Sequence, residues 1–250
     1  MKYIASWSGG KDSTASIILA HEHNEPLDLI IFAEVMFDNE TSGELPEHIQ
    51  FVKSCIPIFE SWGYPVKILH SKKTYMDCFH HRTVRGKRVG MKKGFVMIGR
   101  CDVQRDCKLK PIHEFWDSMT EEFTQYIGMA IDEPLRIGRI VKTKNQVSLL
   151  QKYRYTEEMA YELCQKYEML SPIYNFAPRG GCWFCPNAKK PELRRLYDCH
   201  KDLFNRLVEL EHESDLIGDV WDTLHRKSIS DIAKSFADED AEMARLYWKN

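Results

Sequence analysis

The feature that constrains this chain most is six residues long. Ser8-Gly9-Gly10-Lys11-Asp12-Ser13 lies between a short, partly β-branched run, Tyr3 to Trp7, and a stretch of helical spacing from Ser13 to His23. A buried run that ends on adjacent glycines and passes at once into a helix predicts strand, tight turn, helix. Gly9 and Gly10 can take backbone angles closed to other residues, which lets several N–H groups face one side of the turn. Lys11 adds a compact positive charge and Ser8 and Ser13 add hydroxyl donors, while the helix start directs its partial positive end at the same point. The combination predicts a phosphate cradle. It is not the Walker loop, whose two glycines are set apart before Gly-Lys-Ser/Thr. The plainer reading is a mere β-to-α turn with a solvated lysine, and the strand before and helix after weigh against it.

Farther along, Leu27 to Met36 is a nearly continuous apolar run, the pattern of a strand buried on both faces, and Glu47 to Trp62 follows with helical spacing. Pro65 to His70 and Gln125 to Ile131 read as further strands. Lys108 to Phe123 and Thr156 to Tyr167 read as helices, the second with Thr156 as N-cap and acids in its first turn. Strands that alternate with helices predict an α/β fold, a parallel sheet flanked by helices in the Rossmann-like manner. Near residue 170 the composition turns to Pro, Gly, aromatic and Cys, and then to charged helices. This predicts an α/β domain over 1–170 and a small helical, Cys-containing module over 171–250 packed on it.

A formal charge of −2 and a pI near 6.6 give no global attraction to polyanions. Such contact would need a local cluster, and Arg82, Arg85, Lys87, Arg88, Lys92 and Lys93 provide one beside His80 and His81. With Gly86, Gly90 and Gly94 interspersed, Lys72 to Gly99 reads as a mobile cationic loop. It suits a nucleic-acid backbone or the phosphates of a small substrate, or is simply solvated; Phe79 and Phe95 only flank it. Runs such as Leu29 to Ala33 are too short to cross a bilayer, and the first residues lack signal-peptide anatomy, so a cytoplasmic protein without membrane contact is expected. Eight cysteines without an export signal read as thiols, metal ligands or a redox pair rather than disulfides. Cys55, Cys78 and Cys164 stand singly and read as ordinary core or surface residues. Cys182 and Cys185, around Trp183-Phe184, have the spacing that lets two thiolates reach one metal, although a pair cannot complete a site.

The loop resembles the signature of the ATP pyrophosphatase (PP-loop) superfamily, whose members split ATP between its α and β phosphates to adenylate a substrate. Further segments follow in the family's order: Phe37-Asp38-Asn39 through Leu45-Pro46-Glu47, Cys107-Lys108-Leu109-Lys110-Pro111-Ile112, Ile127-Gly128 through Asp132-Glu133 and Arg136, and Arg179-Gly180-Gly181-Cys182-Trp183-Phe184-Cys185-Pro186. Together they resemble the phosphoadenosine phosphosulfate reductase-like branch, which includes sulfurtransferase-like proteins of DNA phosphorothioation. The resemblance implies ATP on Ser8, Gly9, Gly10, Lys11, Asp12 and Ser13, with Lys11, Asp12 and Ser13 acting in catalysis. It also implies Asp38 as a ligand to Mg2+ or ribose, and Glu133, Arg136 and Arg179 on the substrate side. Read blandly, Asp38 is a turn residue and Glu133 with Arg136 an ion pair.

In the resembling families the helix starting at Lys108 and the Cys-x-x-Cys box face the same side of the nucleotide. That implies Cys101, Cys107, Cys182 and Cys185 as a four-thiolate site, with Cys199 as rival to Cys101. Four sulfur ligands suit Zn2+ or a [4Fe-4S] cluster, and the branch tilts the expectation toward the cluster. One departure bears on the reaction. Reductases of this branch generally carry a degraded loop and a reactive C-terminal cysteine, whereas here the loop is intact and the last thirty residues or so contain no cysteine. The expectation is therefore adenylation by ATP with release of pyrophosphate, serving sulfur transfer to an acceptor that the sequence leaves open. The alternatives are a sulfonucleotide-binding reductase or sulfotransferase, and a noncatalytic, zinc-stabilised nucleotide-binding subunit.

Overall fold

The apolar runs become neighbouring strands. The computed structural model describes residues 1–95, 101–134, 145–222 and 225–247. Its strands are β1 (Lys2–Trp7), β2 (Leu29–Glu34), β3 (Val66–His70), β4 (Lys92–Gly94), β5 (Phe123–Tyr126), β6 (Gln146–Val147) and β7 (Leu216–Gly218). A five-stranded sheet runs in the order β3-β2-β1-β5-β6 with every pair parallel, and β4 and β7 form a separate parallel pair. Parallel neighbours require crossovers, and helices α1 (Lys11–Glu22) and α2 (Pro46–Ser61) supply the first two. The α/β fold expected from the alternation is the one observed.

Helix α1 is buried nearly all round: Ile17, Ile18, Leu19 and Ala20 pack in one core with Trp7, Phe32 and Phe59. It lies against α6 (Glu157–Lys166), whose start is the expected cap, Thr156 Oγ1 accepting from Met159 N at 3.2 Å. The strand order reverses direction at β1, which has β2 on one side and β5 on the other. The crevice beyond the carboxyl end of a strand at such a switch point is where open α/β sheets bind ligands. The phosphate loop begins there.

Three elements differ from the sequence reading. Lys72 to Gly99 reads as loop, yet it holds helix α3 (Tyr75–Phe79) and strand β4. Thr74 and Asp77 form a capping box at the start of α3, with Thr74 N donating to Asp77 Oδ2 at 2.8 Å. The helix expected from Lys108 is a π-helical turn, Gln104–Leu109, running into α4 (Lys110–Asp117). It stops early because Ser118 Oγ turns back to donate to Phe115 O at 2.7 Å. Strand β5 ends at Tyr126, short of the expected Ile131, where the chain leaves the sheet to meet the phosphate loop.

Beyond residue 170 come a 3-10 turn (Pro172–Asn175), α7 (Lys190–Cys199), α8 (Lys201–Glu211), β7 and α9 (Ile229–Tyr247). Their apolar faces join Phe37, Tyr75, Phe79, Phe95 and Cys107 in a second core, so this core draws on both sides of residue 170. Among the described residues no helix is long and apolar enough to cross a membrane.

Candidate nucleotide and thiol site

Gly9 is the pivot of the phosphate loop. Its φ of 72° is in the left-handed region, and a Cβ there would lie 2.6 Å from His48 Cε1, so only glycine fits on both counts. Ser13 Oγ sits inside the turn, accepting from Ser8 N at 3.2 Å and donating to Gly10 O at 3.0 Å. His48 braces the loop from below. Its Nε2 donates to Ser8 O at 3.1 Å, and its Nδ1 lies 2.8 Å from Ser171 Oγ. The chain after β5 presses on the other flank, where a Cβ on Gly128 would be 2.4 Å from Ser13 N and 2.5 Å from Asp12 C. With this bracing the first-turn amides of α1 are fixed at a helix N-terminus, the arrangement that binds oxyanions.

The Lys11 ammonium is held 2.8 Å from both Asp12 Oδ1 and Glu157 Oε2. Burial opposes its charge, but the two carboxylates outweigh it and its pKa is raised. Asp12 is raised by burial despite its lysine partner. The Lys11 amide donates to the Tyr174 hydroxyl at 2.8 Å. Lys11 is therefore a charged lysine that already has two anionic partners.

Loop and Cys-x-x-Cys box share one cavity of about 280 Å3. Ser8, Gly10, Asp12 and Ser13 of the loop line it together with Glu44, Lys108, Arg179 and Cys182. The box is positioned by the residues between its cysteines. Trp183 and Phe184 are buried, and Trp183 is tied to the segment before α2 through N to Gly43 O and Nε1 to Ser42 O, both at 2.9 Å. Phe184 stacks on Tyr75 with ring centroids 4.1 Å apart. Cys185 N then closes the turn on Cys182 O at 3.0 Å.

The thiols gather around a single phenol. Tyr75 is fully buried and its hydroxyl has no hydrogen-bond partner among the described residues, and burial together with Cys78, Cys182, Cys101 and Cys185 pushes its pKa well up. Cys107, on the π-helical turn, lies with its Sγ 3.7 Å from Cys78 Sγ. The contact between the two thiols lowers the Cys78 pKa and, with burial, raises that of Cys107. Burial raises Cys182 and Cys185. Among the described residues no three His, Cys, Asp or Glu side chains converge as a single metal ion would require. Soft thiols spread about an orphaned O–H donor fit a group several ångströms across better than one ion, because such a group offers sulfur acceptors to the phenol.

Of the remaining predicted residues, Glu133 lies close enough to Asp12 to help raise its pKa, whereas Asp38 is taken up by its own turn and Arg206. Asp38 accepts from Glu40 N and Thr41 N at 2.9 and 2.7 Å and pairs with Arg206, whose guanidinium covers the Phe37 ring. Glu133 Oε2 accepts from Ala130 N at 3.3 Å across a turn. Arg136 lies outside the described residues. Cys199 is exposed at the end of α7, whereas Cys101 accepts from Gln104 N at 3.3 Å at the start of the π-helical turn. His48 and Tyr174 are contributors that the sequence reading passed over, and Cys78, read there as an ordinary core or surface cysteine, is buried against Cys107; none of the three carries a local signal.

No family model matches the chain, and no curated protein does. Among solved structures it is similar to the U34-tRNA thiolase NcsA from Methanococcus maripaludis with its [4Fe-4S] cluster. The identity is 14%, the alignment covers 95% of this chain and 71% of that one, and the TM-score is 0.42.

Proposed function

We propose that this chain is a PP-loop ATP pyrophosphatase of the phosphoadenosine phosphosulfate reductase-like branch, which adenylates an acceptor so that sulfur can replace the activated oxygen. The observation that carries the reading is the shared cavity, in which a phosphate loop at a helix N-terminus faces Arg179 and Cys182. An acceptor oxygen attacks the α phosphorus of ATP, a new P–O bond forms, and the bond to the bridging oxygen breaks. Pyrophosphate leaves with the electron pair. The loop amides hold its oxygens, and Lys11 exchanges a carboxylate partner for phosphate as charge develops. Ser8 and Ser13 supply hydroxyl donors, and Arg179, exposed on the cavity wall, orients the acceptor or the α phosphate. Mg2+ bound with the nucleotide would neutralise phosphate charge.

Cys101, Cys107, Cys182 and Cys185 are the residues that would hold a [4Fe-4S] cluster, which would supply sulfur activation next to the adenylated acceptor. Zn2+ is the weaker candidate, since the thiols do not converge on one point among the described residues. The basic segment from Arg82 to Lys93 is the surface that a nucleic-acid acceptor would use. The intact loop favours ATP over a sulfonucleotide.

The test is product analysis of ATP turnover in the presence of candidate acceptors, RNA and DNA among them. AMP and pyrophosphate in equal amounts, lost in Lys11→Ala by a factor of about 100 or more, are expected. ADP and orthophosphate as products would sink the proposal.

A further inference from the structure

Tyr174 is a polar group of the cavity that lies outside the loop motif. Tyr174 comes from the 3-10 turn Pro172–Asn175, yet its hydroxyl lies 2.8 Å from the Lys11 amide and 3.3 Å from the position of a Cβ on Gly10. It lines the cavity beside Ser8 and Ser13. The hydroxyl accepts the Lys11 N–H, so its own proton is free to donate, and no protein acceptor receives it among the described residues. Burial raises the phenol pKa, which keeps that proton in place at neutral pH. The turn is held firmly. Ile173 is buried, Tyr174 N donates to Ser171 O at 3.2 Å, and Ser171 is tied to His48 beneath the loop.

A hydroxyl that accepts from a helix-terminal amide is polarised toward donation, and among the described residues no side chain lining the cavity is hydrogen-bonded to receive that proton. Building on the nucleotide reading above, we propose that Tyr174 is a phosphate-binding residue of the site, donating its phenolic proton to an oxygen of the leaving pyrophosphate. The residue thereby completes the cradle from outside the motif. It also stands five positions before Arg179 and eight before Cys182. Phosphate bound by Tyr174 thus fixes the start of the segment that carries Arg179 and the thiol box.

The test is Tyr174→Phe in the full chain, which keeps the ring and removes only the hydroxyl. Titration with pyrophosphate and with ATP, each with Mg2+, should show Kd rising about tenfold or more, as for loss of a hydrogen bond to a charged group. Adenosine, which has no phosphate, should bind with unchanged Kd. If the variant also melts earlier, Ile173→Val supplies the comparison: it loosens the same turn and should leave pyrophosphate Kd unchanged. Unchanged or tighter pyrophosphate binding by Tyr174→Phe overturns the role, tighter binding meaning that the hydroxyl merely plugs the amide. Loss of adenosine and pyrophosphate binding in equal measure overturns it too, as a general effect on structure. A wild-type chain that binds adenosine but no pyrophosphate or ATP overturns this role and the ATP reading together.

Discussion

Asp38 shows how a carboxylate at a strand end can be fully occupied by its own turn. Two backbone amides and the Arg206 guanidinium bond to it, and despite partial burial these hold its pKa at about 2, against 3.8 for the free side chain. A carboxyl with a depressed folded pKa stabilises the fold above its unfolded value and loses that contribution as pH falls through the folded value. Asp38→Asn keeps the turn acceptor but loses the charge, and should cost about 1 to 2 kcal/mol at neutral pH. The gap in melting midpoint between wild type and variant should stay constant down to about pH 4 and narrow below it, because protonation makes the two side chains alike. A gap independent of pH would show that Asp38 acts through shape alone. At this scale the contiguous loop was legible, since its glycines, serines and lysine adjoin in sequence. Tyr174, 163 positions from the amide it touches, left no local signal.

Among elements, the segment from Arg82 to Lys92 is the clearest case of order inside an apparently shapeless charged stretch. Arg82 and Lys92 face each other in an antiparallel bridge, Thr83 N donates to Met91 O at 3.0 Å, and Gly90 N donates to Thr83 O at 2.9 Å. Lys92 pairs with Glu213 at 2.7 Å and Lys93 pairs with Asp102, so the base is neutralised. Arg85, Lys87 and Arg88 at the tip are exposed and have no carboxylate partner among the described residues. An anionic polymer bound there would displace counterions from its own backbone. The prediction is made for the triple variant Arg85→Gln, Lys87→Gln, Arg88→Gln. It should bind RNA or DNA more weakly at low salt, with a plot of log K against log salt shallower by about 2 to 3. An unaltered slope would assign the tip to solvent. The buried strands were readable from apolar runs, whereas this segment was not, because its charges carry no apolar period and both the Arg82–Lys92 bridge and the pairing of β4 with β7 are made by backbone contacts with no local signal.

For the molecule as a whole, the consequence of two cores is that the thiols come from separate stretches of chain: Cys78 on α3, Cys101 and Cys107 around the π-helical turn, Cys182 and Cys185 in the box. The parallel fold was legible because period and run length are local properties. The thiol grouping was only half legible, because Cys78 has no spacing signature and reaches Cys107 through packing. Anaerobic purification with iron, sulfide and zinc analysis tests what the grouping holds. Iron and sulfide near about four each per chain are expected, with the visible absorption of such a cluster. Cys182→Ala should lose both, since one fewer thiolate leaves an iron without protein sulfur. Cys78→Ser should retain the iron, because Cys78 is the neighbour of Cys107 and not one of the four proposed ligands. Retention in Cys101→Ser with loss in Cys78→Ser would exchange those two in the ligand set, and the 3.7 Å contact would then be the mark of a ligand. About one zinc per chain in place of iron would leave the phosphate loop as the sole proposed chemical site and reduce the thiols to a structural clamp in the second core.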